Sequence, residues 1–149
     1  MGRRATAQTL ILFVLLAVAL AGCSSADVTF VSDDARYTLE QLEALHSAHT
    51  PPHGVANRPV AEASDLRHDA LVSLRSRGGE AAEFAEFVTA TLSDTGRSVP
   101  YYGEAAVVDN TPAWLLIEAW GPEGGVLENT RLWAFARDSG RVLYSSASR

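Results

Sequence analysis

At Asp94-Thr95-Gly96 the hydrophobic period of the chain changes from helical to extended, and it stays extended to the end. A run of helices followed by a run of strands with short connections excludes the alternating order of a parallel α/β fold. Val99 to Val108 reads as a first strand, with Pro100 near its start, where a missing N–H does least harm. Asp109-Asn110 reads as a tight turn. Trp114 to Trp120 is apolar on both faces apart from Glu118, which suits an inner strand. After the loop Gly121-Pro122-Glu123-Gly124-Gly125, Arg131 to Arg137 alternates, with Trp133 and Phe135 on one side and Leu132, Ala134 and Ala136 on the other. Asp138-Ser139-Gly140 turns the chain into Val142, Leu143 and Tyr144. These spacings predict an antiparallel four-stranded meander.

Upstream, Leu66, Ala70, Leu71 and Leu74 fall at helical spacing, with Ser64 or Asp65 available as a cap. Gly78-Gly79 ends that helix. A second one follows at once, with Phe84, Phe87, Val88, Thr91 and Leu92 on its buried stripe and Glu80, Glu83 and Glu86 towards its N-terminal end, where acidic groups complement the helix dipole. The predicted fold is α+β, two helices packed on the four-stranded meander, and the compact domain spans 60–149. Residues 23–59 read as a partly flexible tether. Within it, Val28 to Val31 suits a short extended piece. Thr38 and Gln41 form a capping box ahead of a short helix carrying Leu39, Leu42 and Leu45. Thr50-Pro51-Pro52-His53-Gly54 stops that helix.

Residues 1–22 have a different purpose. Arg3 and Arg4 precede Leu10 to Ala21, an unbroken apolar run too short for the roughly 20 residues a spanning helix needs. This is the layout of a signal peptide. The run closes on Leu20-Ala21-Gly22-Cys23, which resembles the lipobox of bacterial prolipoproteins in all four positions. The resemblance implies cleavage between Gly22 and Cys23 by a dedicated peptidase that recognises Leu20, Ala21 and Gly22. It also implies a diacylglyceryl group on the Cys23 sulfur. Two acyl chains suffice for stable anchoring where one does not. The chain would then be exported and membrane-anchored, on the outer leaflet of the plasma membrane or in an outer membrane. Cys23 is the only cysteine, so no internal disulfide is available to the exported body.

Charge excludes one class of partner. From Cys23 onward the chain carries 10 Arg, no Lys and 18 Asp plus Glu, a balance of −8. Nucleic-acid binding needs a concentrated basic footprint, and none is visible.

The ending Trp133-Ala134-Phe135-Ala136-Arg137-Asp138-Ser139-Gly140-Arg141-Val142-Leu143 resembles the final hairpin of PepSY-type domains. In that family a strand, an Asp-x-Gly turn and a Gly-x-Val-Leu strand recur. The likeness covers about a dozen residues, and the helical part here is longer than that family's. It implies a small exported helix-plus-meander module of a kind often proposed to inhibit or chaperone peptidases. Asp-Ser-Gly between apolar strands is also good hairpin chemistry by itself.

Two groups of residues are candidates for function. His46, His49 and His53 have spacings at which imidazoles could share a zinc or copper ion, although Pro51 and Pro52 interrupt the helix that would align them. The competing reading is a set of polar residues in a solvated linker. A nucleophile elbow, a catalytic triad and a phosphate loop are all missing from the sequence, so no catalytic residues are assigned and no enzyme is expected. Tyr102, Trp114, Trp120, Trp133 and Phe135 crowd the sheet half. If helices cover only one face, some of these rings form an open binding face, and otherwise they are core. The reading that follows is a lipid-anchored envelope module that binds a protein or peptide, with envelope metal binding through the histidines as the alternative. No cofactor is expected beyond covalent diacylglycerol at Cys23.

Overall fold

The computed structural model describes residues 26–93 and 96–149. The predicted signal peptide, with Leu20, Ala21 and Gly22, and the predicted lipidation site Cys23 lie outside the described residues. The elements in chain order are β1 (Thr29–Tyr37), α1 (Leu39–Ala48), a single 3-10 turn (Val60–Glu62), α2 (Ala63–Arg77), α3 (Gly79–Thr91), β2 (Ser98–Val108), β3 (Thr111–Trp120), β4 (Asn129–Ala136) and β5 (Val142–Ser148). No helix among the described residues is long and apolar enough to cross a membrane.

Strands β2 to β5 form the antiparallel meander that the turn residues predict. Asp109 and Asn110, at φ 43° and 64°, make the β2–β3 hairpin with both central residues left-handed, which matches the twist of the strands it joins. Gly78 and Gly79 also have positive φ and divide α2 from α3.

Two features correct the two-helix, four-strand expectation. The sheet has five strands in the order β1-β2-β3-β4-β5, with β1 parallel to β2, and the fold has three helices. β1 escapes a periodicity reading because its pairing shifts between Ser32 and Ala35. There Asp34 is left-handed (φ 55°) and the Asp33 carboxylate accepts a hydrogen bond from the Ala35 N–H. That is turn chemistry inside a strand. The stretch predicted as a tether is packed into the body: Ala26, Val28, Leu42 and Val55 are buried with the core.

Side-chain alternation along the strands then sorts the sheet into two faces. Trp114, Leu116 and Glu118 of β3 pair with Phe135, Trp133 and Arg131 of β4, and this face lies under α2 and α3. Phe84 and Phe87 of α3 meet Trp114, and Phe87 meets Phe135 edge-on. Phe84 approaches β2 so closely that a Cβ at Gly103 would lie 2.4 Å from its ring. Arg137 closes the outer end of this layer, its guanidinium 3.9 Å from the Trp114 ring centre and hydrogen-bonded to Glu80 at 2.8 Å.

α1 and the segment after it cover the opposite face. The Glu118 pairing alternates with Ile117 and Leu132 there, both fully buried. α1 begins with Gln41 accepting the Thr38 N–H at 2.8 Å, the side-chain half of the predicted capping box. His46 fastens the helix to the sheet, with Nδ1 2.8 Å from Ser146 Oγ on β5 and Nε2 2.9 Å from Thr130 Oγ1 on β4. Burial pulls the His46 pKa below its ordinary value, and Glu43 opposes the shift in part. The register shift between Pro100 and Tyr102 lets two consecutive tyrosines reach His49. Tyr101 donates to the His49 carbonyl at 3.0 Å, and the Tyr102 and His49 rings lie 4.0 Å apart. The molecule is therefore helix, sheet and helix in three layers.

Candidate functional site

Glu118 is the one charge in the apolar run of β3, and it is fully buried. An isolated carboxylate in that position would be costly, so its partners decide whether the fold tolerates it. Its Oε1 accepts Arg131 Nε at 3.0 Å, Arg131 Nη2 at 2.5 Å and the Trp133 indole N–H at 3.0 Å. Its Oε2 accepts the Ser98 hydroxyl at 2.7 Å and lies 3.8 Å from Nη1 of Arg67 on α2. Arg67 also donates to the Leu92 carbonyl at the end of α3. Burial lowers the Arg67 pKa, with the Glu118 charge raising it again. The network thus joins α2, α3, β2, β3 and β4 through one side chain.

Its surface lies at one end of the sheet. Gly96–Ser98, Trp120–Pro122 and Arg131 enclose an open cleft of about 820 Å³. The Arg131 guanidinium stands 4.8 Å from the Trp133 ring centre and 6.0 Å from that of Trp120. With Nε and Nη2 on Glu118, it is held from behind while its Nη1 donates no hydrogen bond to the described residues. Trp120 is half-buried, and its indole N–H is buried without a hydrogen-bond partner among the described residues. Arg97, on the cleft wall, pairs with exposed Glu123 at 2.8 Å. A volume of this size is typical of small-ligand sites. Guanidiniums and an indole keep their protons at neutral pH and so recognise rather than transfer.

The sequence-predicted residues divide among several places. Trp114 and Phe135 are buried beneath α3, and Tyr102 is buried on the opposite face of the sheet. The five residues do not share one open face, because helices cover both sides of the sheet and bury three of them. Trp120 and Trp133 remain half-buried at the rim, in contact with Arg131. Among the described residues no group of three or more His, Cys, Asp or Glu is placed to hold a metal ion. His46 is committed to Ser146 and Thr130, His49 to the Leu45 carbonyl and the Tyr102 ring, and His53 is exposed. The residues that sequence reasoning missed are Glu118, Arg67, Arg97, Ser98 and Arg131. The available signal was Glu118 itself, a lone charge in an inner strand, which requires buried partners somewhere in the fold.

A second buried carboxylate, Glu104, accepts the hydroxyls of Tyr37 at 3.0 Å and Tyr102 at 2.6 Å. Burial, with the Glu104 hydrogen bond adding to it, pushes the Tyr37 pKa up to about 12 and that of Tyr102 further in the same direction. This cluster ties β1 to β2 and lies on the α1 side of the sheet, away from the cleft. No family model matches the sequence, and neither a curated protein nor a solved structure matches the chain.

Proposed function

We propose that the protein is a lipid-anchored lipoprotein of the cell envelope that acts as a binding module, with the cleft beside Trp120 and Arg131 as its binding site. The complete lipobox supports the anchor. The cleft supports the binding role through one observation: Arg131 is held from behind by fully buried Glu118, so the cleft wall is arranged before any partner arrives. A side chain already fixed loses less entropy on binding, and a supported site holds its geometry.

The test is photo-crosslinking in cells with the full-length protein, a photoreactive amino acid replacing Pro122 on the cleft or exposed Val72 on α2. A discrete adduct from position 122 that position 72 does not form supports the reading. Equal adducts from both positions, or none from 122, overturn it. In parallel, metabolic labelling with a clickable fatty acid should mark the wild type and not Cys23→Ser. A label that survives the substitution refutes the anchor.

A further inference from the structure

We propose that the cleft is an anion site: it takes a small soluble molecule by its carboxylate or phosphate, held between Arg131 and Arg97, with the rest of the molecule against Trp120. This rests on the binding role just given to the cleft and specifies the chemistry of what it binds.

The argument begins with charge. The wall and its buried support hold three guanidiniums, those of Arg67, Arg97 and Arg131, against the two carboxylates of Glu118 and Glu123. Glu118 is shared by Arg67 and Arg131, so among the described residues one positive charge in the interior wall lacks a counter-charge of its own. The exported part of the chain has a balance of −8, so this excess has the opposite sign to the body around it. At physiological salt the distant carboxylates are screened beyond about 8 Å, and the local excess sets the sign of the potential that a ligand meets in the cleft.

Donor geometry points the same way. Arg131 lines the cleft, and its Nη1 donates no hydrogen bond to the described residues while Nε and Nη2 are fixed on Glu118. Carboxylate and phosphate oxygens are the acceptors that match a guanidinium edge. Trp120 lines the same cleft, and its buried indole N–H has no hydrogen-bond partner among the described residues. A buried donor left unmade carries a cost that an incoming oxygen would relieve. The cleft's concavity and the acidic body both favour a soluble molecule over an anionic bilayer surface, from which the body is repelled.

The experiment follows the indole N–H resonances of the three tryptophans, with full-length protein in nanodiscs of phosphatidylcholine. Trp120→Phe assigns the signal. Citrate and inorganic phosphate are titrated at constant ionic strength with chloride as the reference salt, and a separate sample contains phosphatidylglycerol in the disc. A saturable shift of the Trp120 signal with citrate or phosphate supports the site. It should weaken about fivefold in Arg97→Gln, and about tenfold in Arg131→Lys, which keeps a cation near Glu118 but loses the outward fork. The absence of a saturable shift overturns the proposal. So does a response to phosphatidylglycerol alone, or an affinity unchanged in both variants. If the position-122 adduct persists while the anions do nothing, the anion assignment fails and the binding role stands. If the adduct is also lost, both fail.

Discussion

Replacing Glu118 by Gln tests the core of the structural argument. The substitution preserves volume and leaves one carbonyl oxygen, so Ser98 or Trp133 retains an acceptor. What it removes is the charge that two guanidiniums share. Arg131 has 29% of its side chain exposed and can turn partly to water, so its share is discounted. Arg67 has only 11% exposed and no such escape. Taking one partner from a buried ion pair costs about 3–5 kcal/mol. With the retained hydrogen bond, Glu118→Gln should lose about 3 kcal/mol, a large part of the roughly 5–15 kcal/mol that holds a domain. Because m for a small protein is about 1–3 kcal/mol per molar urea, the midpoint should fall by roughly 1–3 M. Tryptophan fluorescence during urea unfolding reads this directly. Arg67→Met in the same background should restore part of the loss, since no deeply buried cation is then left unpaired. A Glu118→Gln loss below about 1 kcal/mol, or strict additivity with Arg67→Met, refutes the account.

Three further outcomes follow from the same structure. Leu42→Ala on α1 should cost about 2–5 kcal/mol, because the side chain is fully buried and a cavity results. A change within a few tenths in urea unfolding would mean that α1 does not belong to the cooperative unit. Gly103→Ala drives a methyl into the Phe84 ring and should cost about 1–3 kcal/mol by overpacking, and Phe84→Leu should relieve part of it. No relief in the double variant would remove the close approach as the cause. The His46 pKa is lowered in the fold, so the unfolded chain takes up the proton first as pH falls. Its contribution is complete above about pH 6.5 and is lost below that value, by at most about 1.4 kcal/mol per pH unit. Urea midpoints at pH 7.5 and 5.5 should fall further in the wild type than in His46→Gln, and equal falls would exclude His46 as the source.

Much of the architecture was legible in the sequence, because it is written in local physics. Asp109-Asn110 and Gly78-Gly79 mark left-handed backbone, and the chain turns or breaks at both. Alternation in Arg131 to Arg137 places Trp133 and Phe135 on one face whatever lies over them, and the meander follows from short connections. The α1 start is set by Thr38 and Gln41 within four residues.

Tertiary structure decided the rest. β1 carries a turn-like Asp33-Asp34 inside the strand and finds its partner some seventy residues later, so no window of sequence contains the pairing. Strand parity says which residues share a face and not which helix covers it. The aromatic residues therefore read as a possible open surface until α2 and α3 are seen on one side and α1 on the other. The cleft depends on such distant arrangement most of all. Its wall comes from Gly96–Ser98, Trp120–Pro122 and Arg131, with Arg67 behind it from α2. Each residue by itself is an ordinary serine, arginine or tryptophan. Only when the β2–β3–β4 register brings Arg131 opposite Glu118, and α2 lays Arg67 on the same carboxylate, does a buried charge acquire its partners.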